Sequence, residues 1–95
     1  MDEILSLLGL SQRANKVLYG ENLIDNMGKV KLLFLGKDAS DKTKERFLKK
    51  CRYYEIPFLD SYDSEELSRA IGKRNVKIIG ITDEGFASSM LSKRK

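Results

Sequence analysis

The chain contains no histidine. That absence removes the commonest general base near neutral pH and the commonest transition-metal ligand. Its one cysteine, Cys51, has no partner for an internal disulfide and no second thiol for a zinc cluster. Ser/His/Asp, Cys/His and zinc-hydrolase mechanisms are excluded. No apolar run approaches the roughly 20 residues that cross a bilayer. The start, Met1-Asp2-Glu3-Ile4, lacks the basic leader of a secretory signal, and no low-complexity segment interrupts the chain. These absences predict a cytoplasmic protein with no membrane partner, no metal and no cofactor.

What is present is a globular balance. Of 95 residues, 41% are hydrophobic and 34% charged, which is enough for one domain over 1–95 with a modest core. Eighteen basic against 14 acidic residues leave a net charge of +4. With a pI near 9.2, that excess mildly favours a polyanionic partner.

Helical and extended patterns alternate from end to end. Ile4, Leu5, Leu7 and Leu8 mark an N-terminal helix fading by Arg13. The apolar runs 17–19, 30–35, 56–59 and 76–81 read as four short strands. Between them the pattern predicts a short helix from Glu21 to about Met27, and a longer one from a Ser40 or Asp41 cap through Tyr54. Another runs from Ser64 to Gly72, and a last one from Asp83 to Met90. Phe47, Leu48, Cys51 and Tyr54 share one face of the long helix, so Cys51 is expected in the core. Tyr53 and Tyr54, beside the turn at Pro57, are expected to close that core. An αβαβαβαβα order predicts one sheet covered by helices on both faces. The strand order stays open, because the first link is too short to settle how its strand pairs.

The segment with most chemical content runs from Arg13 through Lys16 to Gly20-Glu21-Asn22-Leu23. A short strand ends at a glycine and turns at once into a helix. Gly20 lets a ligand backbone come close, and the next amides are unpaired donors at the positive end of a helix dipole. Asn22 can donate and accept toward a base edge. Arg13 and Lys16 could supply nearby charge. A second basic loop, Lys73-Arg74-Asn75, precedes the last strand, with Arg69 one helical turn before Lys73. The pair reads either as a phosphate clamp beside Gly20 or as a solvated helix end whose cations offset the dipole. The acids Asp63, Glu65, Glu66, Asp83 and Glu84 sit at helix starts and read as caps. Gly36-Lys37-Asp38-Ala39-Ser40 lacks the glycine spacing and the Ser or Thr after lysine of a phosphate loop. Nucleotide hydrolysis is not expected there.

Five pieces taken together resemble a known family: Leu8-Gly9-Leu10 with Arg13-Ala14 and Lys16; Gly20-Glu21-Asn22; Asp38-Ala39-Ser40; Glu66-Leu67 with Ala70-Ile71-Gly72-Lys73; and Thr82-Asp83 with Gly85-Phe86-Ala87. In this order and spacing they resemble the kink-turn RNA-binding ribosomal protein family (archaeal "L-seven-Ae" type), and within it the small bacterial YlxQ-like proteins. The resemblance implies a three-layer α/β/α sandwich with a mixed four-stranded sheet and a non-enzymatic RNA binder. It also implies a Gly-x-Asn-Glu-x-x-Lys pattern that enters the groove at sheared G·A pairs. Gly20 and Asn22 match that pattern, whereas Leu23 and Asn26 stand at its glutamate and lysine positions. Asn15 and Ser68 stand where glycines are customary.

The expectation is a monomeric, ribosomal-type protein that binds kinked or looped RNA, such as rRNA, and associates with the ribosome. Arg13, Lys16, Gly20, Glu21, Asn22, Arg69, Lys73, Arg74 and Asn75 form the expected RNA-binding set. The alternative is a protein-interaction module docking a translation or ribosome-assembly factor, with Leu23 as its apolar contact.

Overall fold

A computed structural model describes residues 2–94. Asp2 caps the first helix, α1 (Glu3–Arg13), by accepting hydrogen bonds from the amides of Ile4 and Leu5. Ile4, Leu8 and Ser11 form its buried stripe at helical spacing, and the Ser11 hydroxyl donates to the Leu7 carbonyl at 2.8 Å. Asn15 takes the left-handed conformation (φ 61°), which asparagine tolerates better than most residues. The chain thereby reverses from α1 into β1 (Val17–Tyr19).

A 3₁₀ segment, Glu21–Lys29, follows in place of the expected short α-helix, with a kink at Asn26 (φ −122°, ψ 18°). Then come β2 (Leu32–Leu35), α2 (Asp41–Tyr54), β3 (Phe58–Leu59), α3 (Ser64–Ile71), β4 (Ile78–Ile81) and α4 (Glu84–Lys93). The sheet order is β1-β4-β2-β3. β4 lies antiparallel to both β1 and β2, while β2 and β3 run parallel. The sheet is therefore mixed, as the family resemblance implies.

β2 and β4 hold the centre and are buried on both faces, which is why they read as continuous apolar runs rather than alternating ones. Leu32, Phe34, Ile79 and Ile81 face α1, α3 and α4. Leu33, Leu35 and Ile78 face α2 and the 3₁₀ segment, packing with Leu23, Met27, Phe47 and Cys51. Burial pushes the Cys51 thiol up to about 11, so it is an inert core residue, as expected. Gly80 allows the closest approach of the two layers. A Cβ there would lie 2.8 Å from Val30 and 3.1 Å from Leu23.

Two further expectations need correction. β1 matches its run, but β2, β3 and β4 are shorter than theirs, because neighbouring groups claim the flanking backbone. Val30 donates to Met27, and Val76 exchanges two hydrogen bonds with the Ser68 hydroxyl at 2.8 and 3.3 Å. Tyr53 and Tyr54 do not close the core. They are 78% and 44% exposed, since the helical twist from Phe47 and Cys51 carries Tyr53 to the far side. The left-handed Glu55 (φ 55°) ends α2, and Ile56 closes the core instead. The helix caps match the reading of the acids. Ser40, Asp63 and Asp83 cap α2, α3 and α4, and Asp63 with Glu66 forms a complete capping box.

Candidate nucleic-acid interface

Antiparallel pairing brings the end of β1 beside the start of β4 and the end of β2. Gly20 donates to Ile78 at 3.0 Å, and Gly36 donates to Lys77 at 2.7 Å. Three chain corners therefore meet at one edge of the sheet: 20–22, 36–40 and 73–77. Between them lies an open cleft of about 710 Å³, lined by Gly20, Glu21, Asn22, Ser40, Thr43, Asn75, Lys77 and Ile78.

At the centre Gly20 adopts φ 91°, ψ 173°, a conformation essentially reserved for glycine. No atom lies within 4 Å of where its Cβ would be, so the backbone is open to an approaching ligand. Leu23 donates to the Gly20 carbonyl and starts the 3₁₀ turn, while the amides of Glu21 and Asn22 meet no protein acceptor among the described residues. Asn22 is exposed, and Asn75 faces the same cleft from a left-handed turn (φ 56°). Lys77 adds a cation. The acid of the cleft, Glu21, is offset by Arg46 at 3.6 Å. The Asp38 carboxylate is engaged by the hydroxyl and amide of Ser64, which hold it below the usual carboxylate range. Free amides, two primary amides and lysine make a site for an anionic, hydrogen-bonding ligand.

The expected set is only partly brought together. Gly20, Glu21, Asn22 and Asn75 converge on the cleft. Lys73 lies next to it, its ammonium 5.7 Å from the Tyr19 ring centroid, and Arg74 is exposed in the same loop. Arg69 does not join Lys73 in a clamp. The left-handed Gly72 (φ 68°) breaks the helical register between them, and Arg69 pairs with Glu65 at 2.8 Å. With Arg13 it lines a groove between α1 and α3. Lys16 sits at the opposite end of β1, where its carbonyl accepts from the Thr82 amide. The three residues of β1 separate it from Gly20, and four strand steps span roughly 13 Å.

Sequence reasoning missed Lys77, Ser40 and Thr43 as cleft residues and Arg46 as the partner of Glu21. Ser40 was legible as a cap, but nothing in a linear pattern places α2 against the 3₁₀ segment.

No profile of a known protein family matches the chain. Individual proteins do. The "RNA-binding protein YlxQ" of Bacillus subtilis is 38% identical over 93 residues, spanning 95% of this chain and 93% of that protein. The protein of the same name in Enterococcus faecium is 40% identical over 87 residues, spanning 87% and 82%. The chain belongs to the YlxQ family.

The YlxQ-type architecture is also seen in a solved structure of a Bacillus halodurans protein described as of unknown function. That protein is 38% identical, with a TM-score of 0.92 over 97% of this chain and 96% of that one. The 15.5kD RNA binding protein of Giardia lamblia shares the fold at 20% identity, with a TM-score of 0.76 over 96% and 83%. In this YlxQ-family chain, the leucine at the pattern's glutamate position is not a surface residue. Leu23 is 2% exposed, wedged beneath Gly80, so it cannot serve as the apolar contact of a docking module. That alternative loses the residue that favoured it. Asn26, at the pattern's lysine position, is exposed at the kink.

Proposed function

We propose that the chain binds structured RNA at the Gly20 corner, as a ribosomal-type binding protein of the cytoplasm rather than an enzyme. The carrying observation is the pair of unpartnered amides at Glu21 and Asn22, presented by a glycine-only backbone conformation. The side chains of Asn22, Asn75 and Lys77 line the same cleft, and Lys73 and Arg74 are exposed in the adjoining loop. A phosphate accepts from the amides, the lysines and Arg74 neutralise its neighbours, and Asn22 reads a base edge. The names of the YlxQ relatives support the same reading.

The ligand is a bent or looped RNA. A regular A-form duplex hides its base edges in a deep, narrow groove, whereas a kink or loop exposes them. A kink-turn in rRNA fits these requirements, and association with the ribosome follows from it. Kinked-RNA preference would rest on Asn22 and Asn75, because Leu23 is withdrawn into the core.

The test is a fluorescence-anisotropy titration of a kink-turn stem-loop with the parent and the Asn22→Ala variant. The expected loss is about 1–3 kcal/mol, as for a side chain that reads a base. Equal affinities would remove Asn22 from base contact. A parent that does not bind would overturn the reading itself.

A further inference from the structure

We propose that the outer face of α2 is a second nucleic-acid contact, on which Tyr53 stacks a base of a single strand leaving the Gly20 corner. This rests on the RNA reading above. Lys42, Arg46, Lys49 and Tyr53 stand at i, i+4, i+7 and i+11, so they form one exposed row opposite Phe47 and Cys51. At 1.5 Å per residue the row is roughly 16 Å long. It begins at the cleft, because Thr43 lines that cleft and Arg46 reaches Glu21.

The row ends at Tyr53. Tyr54 braces it edge-on, with centroids 4.8 Å apart and planes at 83°, while Tyr53 stays 78% exposed. Lys42 and Lys49 have no ion-pair partner among the described residues, and Glu45 is the sole acid between Lys42 and Tyr53. A solvated helix face accounts for the cations but not for an aromatic pair held in the open at their end. Cations tracking a backbone toward an exposed ring are the parts of a single-strand platform, which stacks any base and reads none.

The experiment compares two RNAs: a kink-turn stem-loop, and the same stem-loop with a uridine tail of about ten nucleotides. Parent, Tyr53→Ala and Tyr53→Phe proteins are titrated with each, and polyglutamate serves as a control polyanion. The parent should prefer the tailed RNA. Tyr53→Ala should lose about five- to tenfold on the tailed RNA alone, the lower part of the range for one stacked base, and Tyr53→Phe should keep the parent affinity. Parent binding that ignores the tail, or a Tyr53→Ala variant equal to the parent on both RNAs, overturns the proposal and leaves the Gly20 reading intact. Polyglutamate binding that matches the tailed RNA and falls equally in Tyr53→Ala assigns the face to an acidic protein, and overturns it as well. A parent that binds neither RNA removes both readings.

Discussion

Gly20 sets the geometry of the candidate site, because its backbone conformation presents the amides of Glu21 and Asn22 without protein acceptors. A side chain at φ 91°, ψ 173° is strained whatever space surrounds it. Gly20→Ala should therefore lower stability by about 1–3 kcal/mol, measured by urea unfolding, and weaken RNA binding beyond that loss. A variant as stable as the parent would show that the corner relaxes freely. The corner at Gly20 was legible in the sequence, since a strand, a glycine and a helix start occur without a break. The fate of Leu23 was not. An apolar residue at a pattern's polar position looks like exposed surface until the 3₁₀ turn rotates it beneath Gly80. The tyrosines failed for the opposite reason. Aromatics beside a proline turn look like a core closure, yet the helical twist sets Tyr53 outward and Ile56 takes the inner place.

At the scale of elements, local chemistry decided the helix boundaries. Asp63 accepts from the Glu66 amide at 2.8 Å, and Glu66 accepts from the Asp63 amide at 3.1 Å. α3 is eight residues long, too short to persist without such support and tertiary packing. Asp63→Ala should cost about 1 kcal/mol in thermal or urea unfolding. No measurable cost would mean that packing of Leu67 and Ile71 alone holds the helix. The same helix shows where local reading stops. Arg69 and Lys73 are one turn apart in sequence, but Gly72 turns left-handed between them, and the two cations serve different surfaces. Ser68, at a customary glycine position, is buried and satisfied by Val76 on both sides of its hydroxyl.

At the scale of the whole molecule, the charged groups make stability depend on pH and predict that binding depends on salt. Burial alone would raise the pKa of Asp2, but hydrogen bonds from the Tyr62 hydroxyl and the Ile4 and Leu5 amides outweigh it, and the net shift is downward. Asp38 is lowered by Ser64. Both carboxylates are more acidic folded than unfolded, so their stabilisation is present above about pH 4 and is lost as pH falls through the folded values. Urea midpoints should be flat from pH 7 to about pH 5 and fall below pH 4, and the fall should be smaller in Asp2→Asn. RNA affinity should drop steadily with added salt, by roughly 0.7–0.9 log unit per log unit of salt for each phosphate neutralised. A flat salt response would leave Lys73, Arg74 and Lys77 without an electrostatic role. Sequence alone determined the layered α/β/α class, the four strands, the caps and the glycine corner, because each depends on neighbours along the chain: periodicity, capping geometry and backbone freedom. Only the tertiary structure decided the β1-β4-β2-β3 order, the meeting of Asn22 with Asn75 and Lys77, and the placement of Arg69 with Arg13 in a groove away from the cleft. Those follow from which strand edges and helices pair, and pairing is decided by long-range packing of side chains that no local pattern records.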